Sequence, residues 1–345
     1  MTPLDLVGLT PLMRRTAGRA EVAVGLIDGG VALDHPDLAG HPVRRLRPEG
    51  PGHGCHPGDV ACAHGTYVAG ILSARRGSAA PAVCPHCTLL VRPLFSACRG
   101  DRAPRPAEGG GGAPDGRARP GTGRPAAPPD RPVPWPGDGP VPSPGRRTVP
   151  PGGPAAEPEE LAAAIIETVD AGARVINLSL ARAQPSGAAH RGLEEALDHA
   201  ARHGVLTVVA AGNQGTLGTS PLTRHPWTIP VVACDRAGRP LDLSNLGGAI
   251  GRNGLGAPGD GITSLGVDGT ALTLSGTSAA APFVTGAIAL LWSEFPAAPA
   301  AEVRFAVTRS AARRRSSVAP PLLDAWAAYQ LLASRGGPRP RPAGA

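Results

Sequence analysis

Asp28, His64 and Ser278 each stand in a context where a polar side chain can do chemistry. Asp28 follows the aliphatic run 22–27 without a break. His64 lies in Ala63-His-Gly-Thr-Tyr-Val-Ala-Gly70, and Ser278 in Leu274-Ser-Gly-Thr-Ser-Ala-Ala-Ala-Pro-Phe-Val-Thr-Gly286. Singly, each has a plain structural use: a turn cap for the Asp, a capping or packing role for the His, an N-cap for the Ser. As a set, in the chain order Asp, His, Ser, they supply a nucleophile, its general base and a group that orients the base. Those are the parts of acyl transfer through a covalent intermediate. A fourth polar residue, Asn213, stands in Val208-Val-Ala-Ala-Gly-Asn-Gln214.

Such residues work only if something holds them. The run 22–27 is continuously apolar, as a strand buried on both faces requires, and the mainly apolar runs 88–91, 175–180, 205–210 and 229–233 repeat the pattern. Between them, 64–74, 158–171 and 191–203 read as helices. Glu159 and Glu160 suit a helix N-terminus, while Gly172 and Gly204 stand where helix C-termini favour glycine. The alternation predicts an α/β fold of three layers, with a mostly parallel central sheet and helices on both faces. Ligands of such sheets bind at the carboxyl ends of the strands, and Asp28 follows one such end.

Composition divides the chain. Residues 99–158 hold 17 Pro and 13 Gly among 60, with few large apolar side chains. That stretch has too little surface to bury against its ordering entropy and is expected to be a disordered insert; 336–345 reads as a disordered tail. The expected organisation is an N-terminal extension over 1–20 and one domain made of 21–98 and 159–335. No domain-sized segment is expected before the first strand.

The net charge of +7 comes entirely from arginine, with no lysine in 345 residues. With 48 Gly and 41 Pro, that skew fits a coding bias, and no aromatic-interleaved basic patch accompanies it, so no nucleic-acid partner is expected. No basic n-region precedes an apolar stretch, and no apolar run is long enough to span a bilayer. The expectation is cytoplasmic residence without a membrane partner. Six cysteines stand at 55, 62, 84, 87, 98 and 234. A zinc site from Cys55, Cys62, Cys84 and Cys87 lacks a recognised ligand spacing, and free thiols or one disulfide are the favoured reading.

The motifs around Asp28, His64, Asn213 and Ser278, in that order, resemble those of the subtilisin-like serine peptidases. The resemblance covers roughly residues 20–295, and it implies a serine endopeptidase acting on a peptide or protein substrate. Ser278 would be the nucleophile, His64 the base, Asp28 its orienting partner and Asn213 the oxyanion-hole donor. Ser179, Leu180 and Ala181 would pair with the substrate backbone, and Ala210, Ala211 and Gly212 would form the opposite wall. No cofactor is needed for such catalysis; structural calcium is a family possibility, with Asp34, Asp37 and Asp59 the available carboxylates. The chain departs from the family at Gly29, where a hydroxyl residue is usual, and at Ala279 and Phe283. Wording at 9–18, 225–234 and 244–247 is similar to cyanobactin-type peptide-maturation proteases. Macrocyclising members carry a helical insert between Asp and His that the 36-position gap here leaves no room for. The expectation is therefore hydrolysis of a precursor peptide, with a weakly active peptide-binding protein or a peptide ligase or cyclase as alternatives.

Overall fold

The aliphatic runs form a seven-stranded sheet. The computed structural model describes residues 1–46, 55, 58–94, 157–179, 190–310 and 317–335. Its strands are β1 (Ala23–Asp28), β2 (Val43–Arg45), β3 (Thr88–Pro93), β4 (Val175–Leu178), β5 (Leu206–Ala210), β6 (Thr228–Cys234) and β7 (Leu255–Pro258). They lie in the order β2-β3-β1-β4-β5-β6-β7, and every neighbouring pair is parallel. A separate antiparallel hairpin joins β8 (Ile262–Leu265) to β9 (Ala271–Leu274).

The helices are α1 (Pro3–Leu6), α2 (Leu9–Arg15), α3 (Val60–Ser73), α4 (Pro158–Asp170), α5 (Arg191–Arg202), α6 (Pro221–Arg224), α7 (Gly248–Asn253), α8 (Thr277–Glu294), α9 (Ala300–Arg309) and α10 (Ala325–Arg335). Alternation along the buried strands sorts the core into two layers. Val24, Leu26, Val91 and Val208 pack with Ile71 of α3 and with Val284 and Ile288 of α8. Ile27, Leu90, Ile176 and Val209 pack with Ile165 of α4 and Leu197 of α5. Helix α8 is buried on nearly all sides, which accounts for its small and apolar composition rather than an amphipathic stripe.

The expected three-layer fold is present, with local differences. Helix α3 begins at Val60, ahead of the expected 64, because Asp59 caps it by accepting from the Ala61 and Cys62 N–H groups at 2.9 and 3.2 Å. Pro158 opens α4 and Glu157 is its cap, so these two residues belong to the helix and not to the insert. The rest of the predicted insert and the tail 336–345 lie outside the described residues. From β1 the chain builds β3 and β2 on one side, and β4 through β7 follow on the other. The strand order thus reverses between β1 and β4, and the crevice beyond their carboxyl ends is the switch point where α/β sheets carry ligand sites.

Candidate active site

Asp28 is the last residue of β1 and is 1% exposed. Its Oδ1 accepts from the Gly29 N–H at 2.7 Å and lies 2.6 Å from His64 Nδ1. Oδ2 is buried and has no hydrogen-bond partner among the described residues. His64 is brought there by α3, whose first turn presses on the strand end. A Cβ at Gly29 would fall on the Ala61 carbonyl oxygen, and one at Gly65 on that of Gly30. Glycine is the condition for that approach. A disulfide between Cys55 and Cys62, Cα atoms 5.7 Å apart, backs the same turn.

Ser278 is the second residue of α8. Its hydroxyl donates to the Ser179 carbonyl at 2.8 Å, and the Ser179 hydroxyl donates back to the Ser278 carbonyl at 3.2 Å. The second bond has a cause in the sequence. Pro282, four residues on, has no N–H to offer the Ser278 carbonyl, so that oxygen takes a partner from outside the helix. Ser179 is itself fixed: Asn177 Nδ2 donates to its hydroxyl at 2.7 Å, and Asn177 Oδ1 accepts from Thr285 Oγ1 at 2.9 Å. The nucleophile's helix and the end of β4 are thus joined by a buried polar chain, with Asn177 and Thr285 both 0% exposed.

Asn213 follows β5 and is 7% exposed. Its Oδ1 accepts from Thr277 N–H at 2.8 Å and from Thr277 Oγ1 at 2.9 Å. The amide is therefore oriented with its acceptor toward Thr277, and Nδ2 is the donor end. Thr277 Oγ1 in turn accepts from the Gly212 N–H at 3.2 Å. A Cβ at Gly276 would lie 3.0 Å from Asn213 Nδ2, so the amide packs directly on backbone at the head of α8. Of the remaining predicted residues, Ala210, Ala211 and Gly212 line this same turn, with both alanine side chains buried. Leu180 and Ala181 lie outside the described residues.

A carboxylate on an imidazole at the end of β1, a serine at a helix head bonded to the end of β4, and a directed amide after β5 are the groups that acyl transfer needs, gathered at the carboxyl ends of neighbouring strands. The subtilase family profile matches residues 19–325. The chain belongs to the subtilase family. Fervidolysin of Fervidobacterium pennivorans is 26% identical over 325 residues, which are 87% of this subtilase and 39% of fervidolysin. The chain spans less than half the length of such curated relatives. Among solved structures, the prenylagaramide maturation protease PagA superposes with a TM-score of 0.72 at 25% identity, covering 95% of this chain and 99% of that one. The protease domain of PatA gives 0.71 at 28%, covering 93% and 98%.

Reading of the subtilase motifs missed Thr277 as the orienter of Asn213, and missed Asn177 and Thr285. The signal for the last two is a polar residue inside an otherwise apolar strand or buried helix, which has to find a partner. The cysteines considered together for zinc separate into two pairs. Cys62 is in the first turn of α3, whereas the Cys84 N–H bonds to the Leu72 carbonyl near its last residue. Cys84 and Cys87 are buried thiols; Cys84 is pushed well up by the Cys87 hydrogen bond and by burial, while the same bond lowers Cys87. The carboxylates considered for calcium do not converge either: Asp59 caps α3, and Asp37 pairs with Arg75 at 2.8 Å. Among the described residues, no three His, Cys, Asp or Glu side chains gather as a metal site needs.

Proposed function

We propose that this subtilase is a serine endopeptidase that hydrolyses a precursor peptide. The observation that carries the reading is the 2.6 Å bond between His64 Nδ1 and the buried Asp28 at the end of β1, with Ser278 hydrogen-bonded to Ser179 at the end of the neighbouring β4. In the proposed course, the Ser278 hydroxyl turns from the Ser179 carbonyl to His64 Nε2. His64 takes its proton as Oγ attacks the scissile carbonyl carbon, and Asp28 holds the Nδ1–H and stabilises the imidazolium. The new oxyanion accepts from Asn213 Nδ2 and from the Ser278 N–H, one of the first-turn groups for which a helix has no internal acceptor. The C–N bond then breaks as His64 returns the proton to the leaving amine. Water, deprotonated by the same imidazole, attacks the acyl carbon; the bond from that carbon to Ser278 Oγ breaks, and His64 returns the proton to Oγ. Neither step calls for a cofactor. The precursor-peptide substrate rests on the likeness to PagA and PatA, which are maturation proteases or domains of them and match nearly the whole chain.

Labelling with a fluorophosphonate and mass mapping tests the nucleophile. A single adduct on Ser278, absent from Ser278→Ala, is expected; a folded, monodisperse chain that takes no adduct would overturn the proposal. Product masses on a peptide substrate separate the routes, since hydrolysis gains one water and cyclisation loses one. Among the described residues no helix is long and apolar enough to cross a membrane.

A further inference from the structure

Asn245 lies in Ser244-Asn-Leu-Gly247 after β6, is 5% exposed, and takes no part in the steps above. Its backbone N–H donates to the Gly212 carbonyl at 2.9 Å. Its Oδ1 accepts from the Gln214 N–H, the Thr216 N–H and Thr216 Oγ1, each at 3.1 Å. Its Nδ2 donates to the Ala211 carbonyl at 3.2 Å and to Gln214 Oε1 at 2.6 Å. The reversed amide would turn its NH2 toward three donors, so the chemistry of the partners fixes this orientation. One side chain therefore ties both flanks of Asn213. The backbone has been opened to admit it: Gly212 has φ +104°, and a Cβ there would fall on Asn245 Nδ2.

Thr277 sets which way the Asn213 amide faces, but the backbone that carries Asn213 is a turn beyond a strand end. A turn keeps its place only through what it bonds to. A donor aimed at a developing oxyanion loses its effect with small displacements, since misplacement of about 1 Å can cost on the order of 10² in rate. We infer that Asn245 is a positioning residue for the oxyanion donor, holding the 211–216 turn so that Asn213 Nδ2 meets the transition state. It acts through Asn213 and touches no reacting atom. The inference rests on the reading of Asn213 as that donor.

The test is a double-mutant cycle in the full chain: Asn245→Ala and Asn213→Ala, singly and together. The readouts are hydrolysis of p-nitrophenyl acetate and the rate of fluorophosphonate labelling. Asn213→Ala is expected to lower kcat by about 10²–10³, a magnitude taken from subtilisin rather than from this chain. Asn245→Ala is expected to lower kcat by about 10–10² with KM within about two-fold, and to add less than about three-fold in the Asn213→Ala background. Equal loss in both backgrounds would mean that Asn245 only supports the fold, and would overturn the inference, as would an unchanged kcat. A wild-type rate for Asn213→Ala would instead remove the oxyanion reading itself, and the inference with it. Should Asn245→Ala fail to fold, Asn245→Ser keeps a hydroxyl toward the turn, and the same non-additivity decides.

Discussion

A serine in place of Gly29 would restore a hydroxyl beside Asp28 but would set its Cβ on the carbonyl oxygen of Ala61. Either α3 moves away or the strand end does, and His64 rides on α3. Gly29→Ser is therefore expected to destabilise the chain by at least about 1–3 kcal/mol, the usual cost of overpacking, and to slow ester hydrolysis rather than speed it. The denaturant midpoint and kcat measure the two effects, and a faster, equally stable variant would contradict the steric account. From the sequence, this glycine reads as a missing hydroxyl; the reason for it is a backbone contact 32 positions away, which no local motif carries. Asp28, His64, Asn213 and Ser278 are legible because each sits in a short contiguous motif. The bonds of Ser179 to Ser278 and of Asn245 to Ala211 join residues 99 and 34 positions apart, and local reading cannot reach such pairings.

At the scale of elements, α3 has to present His64 at a fixed angle while its N-terminus follows a loop. The Cys55–Cys62 disulfide ties Cys55 to the helix two residues before His64, so it closes the element at the end that carries His64. A bridge over so short a loop contributes about 2–3 kcal/mol in the chain-entropy account. Alkylation without reduction should leave Cys55 and Cys62 unmodified and linked; reduction should open both to reagent and lower the melting temperature and kcat together. Free thiols at both positions in the native chain would remove the clamp. The cysteine spacing left open which thiols pair. Strands were better marked than helix starts, because a doubly buried strand is continuously apolar, whereas the start of α3 depends on one capping carboxylate, Asp59.

At the scale of the whole molecule, β3 ends at Pro93 and the next described helix, α4, opens at Pro158, yet both pack into the same layered core. Replacing 99–156 by a linker of about ten Gly and Ser residues should leave the melting temperature within a few degrees and the Ser278 labelling rate unchanged, because loop closure costs only about 0.6 kcal/mol per doubling of length. Loss of the folded state on excision would show that the segment supports the core. The layered architecture followed from the strand and helix alternation. The strand order did not, since which buried strands are neighbours is decided by packing across the sheet. The order along the chain, by contrast, governs synthesis. Ser278 is made about 250 residues after Asp28, on a helix buried on nearly all sides. At roughly 5–20 residues per second, a ribosome needs about 12–50 s to span that gap. Throughout it the nascent chain carries the proposed base without the proposed nucleophile.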